Sequence, residues 1–211
     1  MPIQFITPSI ISSVANTQVT GTIIASQIAT VNANTITSGT IPLAQIPQLT
    51  GAKLPTGSVL QVIQTVKTDT YSSSATSFTN ITGLTATITP STTSSKILVM
   101  ASVVIGITQN YFIMLRIARG GSAILQGDAA GVRLQTLGMV YSYPALGPAN
   151  EQTTWSHQVV DSPASTSSLT YSVQTMQEGG ATHYINRLQR DDNAAYEPRS
   201  ASSLILMEIA G

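Results

Sequence analysis

The chain has 211 residues, with nine basic and nine acidic side chains, so its formal net charge is zero and no basic surface is available to bind nucleic acid. It contains no cysteine, which excludes disulfides, thiolate metal sites and cysteine nucleophiles. Charged residues make up 9% of the chain, against about 25% in ordinary soluble domains, which favours a surface largely covered by copies of the same chain.

Residues 1–16, MPIQFITPSIISSVAN, have no basic residue, and prolines interrupt their apolar positions, so we expect no signal peptide. The apolar residues Ile3, Phe5 and Ile6 lie between two prolines, a pattern that suits an extended peptide bound by a partner protein. The longest strongly apolar run of the whole chain, residues 97–107, is too short for the roughly 20 residues of a membrane-spanning helix. We therefore expect no membrane insertion.

Residues 17–57 repeat a short phrase, as QVTGTIIASQI at 18–28, TITSGTIPLAQI at 35–46 and QLTGAKLP at 48–55. Lys53 is the only charged residue before Lys67, and one thin strip cannot bury its own apolar side chains. Three parallel copies around an axis would bury them, so the segment predicts a short trimeric shaft with turns at Gly21, Gly39 and Gly51. A low-complexity polar linker is the alternative, and the spacing at 24–31 also suits one or two helical turns.

Residues 58–211 change to β-strands separated by turns. The side chains of SVLQVIQTVKTDTYS alternate between two faces, as in a β-strand, and the paired glycines in YFIMLRIARGGSAILQGD suit a hairpin turn. About eight such strands predict an all-β, antiparallel, jelly-roll-like β-sandwich head. The strands at 97–107 and 204–209, apart from Glu208, are apolar on both faces. An inner sheet around a threefold axis would cover their second face. The alternative is a monomeric sandwich covered by its own N-terminal segment.

No pattern of residues predicts an enzyme. The carboxylates Asp128, Glu151, Asp161 and Glu178 are scattered, without the spacing of a hydrolase pair. Ser156, His157 and Asp161 are triad residue types, but adjacent residues of a strand point to opposite faces. RDDN at 190–193 reads as a solvated turn rather than a calcium loop, and Asn80 begins a glycosylation sequon that matters only in a secretory route. We therefore expect no catalysis, cofactor or metal.

A longer match points to a family. ITSGTIPLAQIPQLTGAKLPTGSVLQVIQTVKTDTYS, followed by TITPSTTSSKILV, resembles the shaft-to-head junction of tail-fibre and related virion fibre proteins of bacteriophages of aquatic bacteria, over residues 36–100. The resemblance implies a homotrimeric virion appendage, extracellular when mature, with its N-terminus, and hence Ile3, Phe5 and Ile6, on a baseplate or other tail protein. It implies that the head contacts a glycan or protein of the host surface. The stalk is short and lacks a long adaptor domain, which leaves its place on the particle open.

Two other functions remain open at this point. A decoration or fibre protein of the capsid would have a structural role without receptor binding. A trimeric bacterial surface adhesin is disfavoured by the lack of an export signal.

Two long polar connections, 138–155 and 178–200, are the candidate receptor-binding loops, because loops on a rigid scaffold commonly carry such sites. Aromatic rings that stack on sugars, beside planar polar groups, give the candidate contacts Tyr141, Tyr143, Trp155, Tyr184, Arg187, Arg190 and Tyr196. For Trp155 a place in the core is the competing interpretation. For the arginines the competing interpretation is ion pairing with Asp191, Asp192 or Glu197.

Overall fold

The structure is a computed structural model, and it describes residues 54–106, 112–141 and 151–211. These residues belong to one compact unit, Leu49–Gly211, and every regular element among them is a β-strand. In chain order the strands are β1 (Val59–Lys67), β2 (Tyr71–Ser73), β3 (Thr79–Ile88), β4 (Lys96–Gly106), β5 (Phe112–Arg119), β6 (Ser122–Ala123), β7 (Gly138–Tyr141), β8 (Gln152–Asp161), β9 (Leu169–Gln177), β10 (His183–Ile185) and β11 (Ser202–Ile209).

A six-stranded sheet is built around β4. On one side β4 pairs with β8 along the full length of both strands, and on the other side it pairs with β11 and then β10. β1 pairs with β11, and the short β2 pairs with β10. From one edge to the other, the order of the long strands is β1, β11, β4 and β8. The short β10 lies beside β4 on the same side as β11, and β2 lies beside β10. All pairs are antiparallel.

A five-stranded sheet covers one face of the first. Its order is β3, β9, β5, with β6 and β7 both paired to the outer edge of β5. When the two- and three-residue strands β2, β6 and β10 are left aside, every connection between successive strands crosses from one sheet to the other, except the connection from β5 to β7. This strand order is that of a jelly roll, which confirms the predicted antiparallel sandwich. Of the trimeric shaft predicted for residues 17–57, residues 17–53 lie outside the described residues.

The core lies between the sheets, and alternation along each strand builds it. On β4 the odd-numbered side chains Ile97, Val99 and Val103 are fully buried, while the even-numbered ones are half-buried on the outer surface of the sheet. β11 repeats this pattern beside it, with Leu204 and Leu206 in the core. The two strands predicted to be apolar on both faces are therefore neighbours, and each has one face in the core.

The register sorts the strand ends into two groups. At the first, here called the entry end, the described chain joins β1: Gly57 N donates to Ala210 O, and Ala210 N donates to Ser58 O, both at 2.8 Å. The entry end also holds the connections 89–95, 120–137 and 162–168 and the C-terminus. The opposite end, here called the far end, holds the connections 68–78, 178–182 and 186–201.

A buried carboxylate closes the entry end. Glu208 on β11 is 1% exposed, and its Oε1 accepts hydrogen bonds from Ser91 N and Oγ, both at 2.6 Å, and from Ser95 Oγ at 2.7 Å. Its Oε2 accepts one from Gln61 Nε2 at 2.6 Å. Burial alone would raise the pKa of Glu208, but these hydrogen bonds outweigh it and hold the pKa below its ordinary value. The ionised carboxylate thus joins β11, β1 and the 89–95 turn.

A second cluster joins the two sheets at the entry end. The fully buried Tyr171 of β9 donates its hydroxyl to Asp161 Oδ2 of β8 at 2.7 Å, and Arg119 of β5 pairs with the same oxygen. Burial, followed by the hydrogen bond to Asp161, raises the pKa of Tyr171. Asp161 is therefore committed to a contact between the sheets.

Candidate functional site

The connection from β10 to β11, residues 186–201, is here called the far-end loop, and Asn186 fixes its start. Asn186 is fully buried with φ of 63°, a left-handed conformation that asparagine tolerates better than most residues. Its Nδ2 donates to Lys67 O at 2.8 Å and Asp69 O at 3.0 Å, and its Oδ1 accepts from Ser202 Oγ at 2.6 Å. One side chain therefore joins the loop to β1 and β11.

A glycine lets the loop pass close to the sheet. A Cβ on Gly106, the last residue of β4, would lie 2.0 Å from the backbone oxygen of Arg187, so no larger residue fits without moving the loop. The backbone of Asn186 adds two hydrogen bonds: its N donates to Val104 O at 2.9 Å, and its O accepts from Ser200 N at 3.1 Å. Both ends of the far-end loop are thus held against the sandwich.

The first of two arginine–tyrosine pairs lies at the start of the loop. The guanidinium carbon of Arg187 lies 4.2 Å from the centre of the Tyr184 ring, within the range of a cation–π contact. Arg187 Nη1 also pairs with Asp191 Oδ2 at 3.2 Å, and Arg199 Nη2 pairs with Asp191 Oδ1 at 2.6 Å. Asp191 therefore bridges two arginines across the loop.

The second pair lies at the tip of the loop. Arg190 Nη2 donates to the Tyr196 hydroxyl at 3.0 Å, and the guanidinium carbon lies 5.4 Å from the ring centre. Arg190 Nε pairs with Asp192 Oδ2 at 2.6 Å and with Glu197 Oε1 at 2.9 Å. The hydrogen bond to Asp192, together with the nearby charges of Tyr196, Asp192 and Glu197, raises the pKa of Arg190. These contacts fix the orientation of Tyr196, whose surface is 63% exposed.

Three arginines and three carboxylates of the far-end loop balance one another, and each contacts a partner within the loop. The arginines thus ion-pair as in the competing interpretation, while two of them also hold tyrosine rings. A loop without net charge has little attraction for an anionic ligand. The exposed ring of Tyr196 and the half-buried ring of Tyr184, both held by arginines, suit a neutral ligand with apolar faces and hydroxyl edges, such as a sugar. The far-end loop and the end of β10 bring together four of the predicted contacts: Tyr184, Arg187, Arg190 and Tyr196.

The other predicted receptor contacts lie elsewhere. Tyr141 is 42% exposed at the end of β7, on the five-stranded sheet, where its ring stacks on Phe112 with centres 4.7 Å apart. The connection predicted for 138–155 thus begins as a strand, because Gly138–Tyr141 pairs with β5. Trp155 is 4% exposed and faces the core on β8, as in its competing interpretation. Outside the described residues lie Tyr143, Ile3, Phe5, Ile6, Gly21, Gly39 and Gly51.

The three triad residue types do not form a triad. Ser156 and His157 are adjacent on β8, with Ser156 exposed on the outer surface and the His157 ring against Trp155 at 4.8 Å. Asp161 accepts its hydrogen bonds from Tyr171 and Arg119. Within the described part of the chain, no group of three histidine or acidic side chains is placed to hold a metal ion.

A second candidate surface is the outer side of the six-stranded sheet, and its entry-end half is apolar. The side chains here called the apolar face are Val62 on β1, Leu98 and Met100 on β4, Val160 on β8, and Ile205, Met207 and Ile209 on β11. Val62 and Val160, on the two edge strands, are 53% and 54% exposed. A contiguous apolar patch of this kind is a candidate contact surface.

The outer side of the five-stranded sheet is polar where β3, β9 and the middle of β5 lie. Asn80 Oδ1 accepts hydrogen bonds from Ser172 Oγ at 3.0 Å and Gln174 Nε2 at 2.9 Å. Arg116 donates to Gln174 Oε1 at 2.7 Å and lies 4.1 Å from the centre of the Phe78 ring. These groups satisfy one another, but near β7 the same side of the sheet exposes Phe112, Met139 and Tyr141, at 40%, 57% and 42%.

Sequence reasoning missed Asn186 and Gly106, which position the far-end loop. An asparagine directly after a strand is a weak signal for a left-handed turn, and a glycine at the end of an apolar strand is a weak signal for close backbone approach. Neither signal indicates which other segment comes close, because these contacts join residues about 80 to 120 positions apart.

Comparisons with known proteins give little further information. No family model matches the chain, and no curated protein matches it. Fourteen chains of solved structures match it, one of them from the structure of infectious bursal disease virus, Gx strain, at 13% identity and a TM-score of 0.34. That match covers 72% of this chain and 38% of the viral chain, so this chain spans well under half the length of its neighbour. A likeness this weak transfers neither residues nor activity.

In residues 54–106, 112–141 and 151–211 there is no helix with the length and apolar character needed to cross a bilayer.

Proposed function

We propose that the chain is a structural component of a phage virion, a short homotrimeric tail fibre whose sandwich binds the host surface, with a polysaccharide as receptor. The observation that carries this proposal is the opposite character of the two ends of the sandwich. The chain enters beside the apolar face, whereas the arginine–tyrosine loop lies at the other end. A fibre needs this order, since its attached end and its receptor-binding end must differ.

The far-end loop supports receptor binding by its rigidity and its exposed rings. Its ion pairs fix Tyr196 and Tyr184 before any ligand arrives, which lowers the entropy cost of binding. Its charges balance within the loop, which favours a neutral polysaccharide over an anionic one.

The apolar face supports assembly with copies of the same chain. Residues 1–53 contain a single charge, Lys53, and they join the sandwich at the end where the apolar face lies. Apolar side chains on the sandwich and a sequence with a single charge before it both favour partners of low charge, and identical copies supply them.

Competition during adsorption tests the receptor role. The full-length chain, added to host cells before the phage, should reduce adsorption, and Tyr196→Ala should lose most of this effect because the exposed ring is removed. Val132→Ala, a fully exposed change in the 120–137 connection at the entry end, is the matched control and should compete like the wild type. If the wild-type chain does not affect adsorption, the receptor role is wrong.

Labelling of intact particles tests the location. Antibody against the chain, seen by electron microscopy, should mark the tail or baseplate, and label distributed over capsomers would favour the capsid-decoration function instead. Deletion of residues 2–16, which contain Ile3, Phe5 and Ile6, should prevent incorporation into particles. Normal incorporation of the deleted chain would contradict the proposed N-terminal attachment.

A further inference from the structure

We infer that three copies pack with the apolar face of each six-stranded sheet toward a common axis, so that β1 of each copy lies beside β8 of the next. This arrangement rests on the proposed homotrimer, and it adds which strands meet and at what height along the axis.

The first observation is a row of apolar side chains across the whole sheet. Val62 is opposite Met207, Met207 is opposite Leu98, and Leu98 is opposite Val160. The row spans four strands, roughly 14 Å at about 4.8 Å per strand spacing. Its two ends lie on the edge strands and are about half exposed. Each edge of the sheet therefore presents an apolar side chain to a neighbour.

The second observation is a gradient along the strands. The row nearer the far end, at four residues from Val62 on β1, consists of Val66, Ser203, Ser102 and Ser156. Lys96 is the one charged group among the outward side chains of β4, β8, β11 and the part of β1 that follows the bulge at 59–61. The apolar side chains thus concentrate at the entry end, where a segment with only Lys53 charged continues the chain. An occupant of this surface has to be uncharged and to lie at this end, which describes another copy.

The third observation concerns the edges of the sheet. Among the described strands, β1 pairs with β11 alone and β8 pairs with β4 alone. The ten residues of β8 include no proline, and its acidic or basic side chains are His157 and, at the end of the strand, Asp161. Long unshielded edges promote pairing with another chain, and proteins usually block them with proline, lysine or a covering segment. A closed ring of copies covers both edges at once.

The size of the surface favours a ring over a face-to-face pair. With eight residues at about 3.3 Å per residue, the face measures roughly 14 by 26 Å, or about 400 Å². Stable complexes bury about 800 Å² per partner. A pair of facing sheets would bury this face alone, whereas in a ring each copy contacts two neighbours through the face and both edges.

Cysteine pairs test the strand contact, and the chain offers a clean background because it has no cysteine. A threefold axis keeps equivalent positions at one height, so Val62 of one copy should lie beside Val160 of the next. In the full-length chain, Val62→Cys with Val160→Cys, treated with a short bis-maleimide, should give covalent dimers and trimers and nothing larger.

The matched control is Val66→Cys with Val160→Cys. Val66 is 52% exposed and lies on the same strand, but four residues, or about 13 Å, further from the row. We expect at least a tenfold lower yield of cross-linked product from this pair. All three sites are exposed, so thermal unfolding of both variants should match that of the wild type.

Three results would overturn the inference: no cross-linking, a product that stops at the dimer, or equal yields from the two pairs. These results are independent of the adsorption experiment. A covalent trimer from a chain that does not affect adsorption would support the contact between β1 and β8 and reject the receptor role alone.

Discussion

The two ends of the sandwich differ in what they expose and in what they bury. The entry end exposes the apolar face and buries an ionised carboxylate, Glu208, among four hydrogen-bond donors. The far end carries three arginines and three carboxylates in one loop, with Glu197 buried among them, and it buries Lys67 beside two neutral polar side chains, Asn186 and His183. The difference between the two ends is therefore one of outward surface: an apolar sheet face at the entry end and a loop of paired charges at the far end.

The largest expected effect is loss of assembly after charges are placed at the entry end. Val62→Lys with Val160→Lys should weaken self-association of the full-length chain by at least about 100-fold, because two ammonium groups per copy would be buried without partners. Analytical ultracentrifugation over a concentration series measures this. Val132→Lys, at a fully exposed site outside the apolar face, should leave the association unchanged. Unchanged association of the double variant would mean that the two ends do not differ in this way.

The next largest effect is expected at the base of the far-end loop. Asn186→Ala should lower the free energy of unfolding by about 3–4 kcal/mol, since it removes three buried hydrogen bonds and strains a left-handed residue. Asn186→Gly accepts the same φ, so it should recover about 1 kcal/mol of this loss. Urea denaturation of both variants separates the two contributions. A loss below about 1 kcal/mol in both would show that Asn186 does not anchor the loop.

The buried carboxylate of the entry end gives a somewhat smaller effect. Glu208→Gln should cost about 2–3 kcal/mol of unfolding free energy, because the new amide faces Gln61 Nε2, which is itself a donor. Glu178→Gln, at an exposed position, is the matched control and should change little. The pKa of Glu208 is lowered, so its contribution is present above the ordinary glutamate range and is lost as the pH falls through the folded pKa. A neutral Glu208→Gln would contradict the proposed role of the cluster.

The smallest effect is a pH dependence at the far end. Burial lowers the pKa of His183, 1% exposed, from 6.5 to about 4, and its Nε2 lies 3.1 Å from Thr175 Oγ1. Between these two values the unfolded chain binds more protons, so the stability from a neutral His183 is complete above pH 6.5 and is lost as the pH falls toward 4. Between pH 7.5 and 5 the loss should be about 2 kcal/mol, and His183→Gln should remove it. An equal slope in the variant would contradict the assignment.

The sandwich could be predicted from the sequence because alternation survives in its strands. β4 and β11 were identified as apolar on both faces, and they lie side by side with one face in the core. Glu208 interrupts that pattern, and only the structure reveals why: its donors come from residues more than 100 positions away. The four-residue β7 was missed because its pairing with β5 fixes it, and its own sequence is too short to show a period.

The candidate site could be predicted in part. The sequence could show that Tyr184, Arg187, Arg190 and Tyr196 lie near one another, since they fall within 13 positions of the chain, and their role in receptor binding stays a prediction. Trp155 has the same chemistry, but β8 turns it inward, and a strand's inward face depends on its partners. The balance of ion pairs within the far-end loop likewise depends on chain folding that spacing alone does not determine.

Sedimentation equilibrium of the full-length chain at micromolar concentration tests the central claim most directly, namely that the apolar face of the entry end is covered by identical copies. The claim predicts a single species of three times the 22.1 kDa chain mass, which dissociates when Val62 and Val160 carry lysine. A folded, protease-resistant species of 22.1 kDa would contradict it, because the apolar face would then be exposed to water or covered by the N-terminal segment of the same chain.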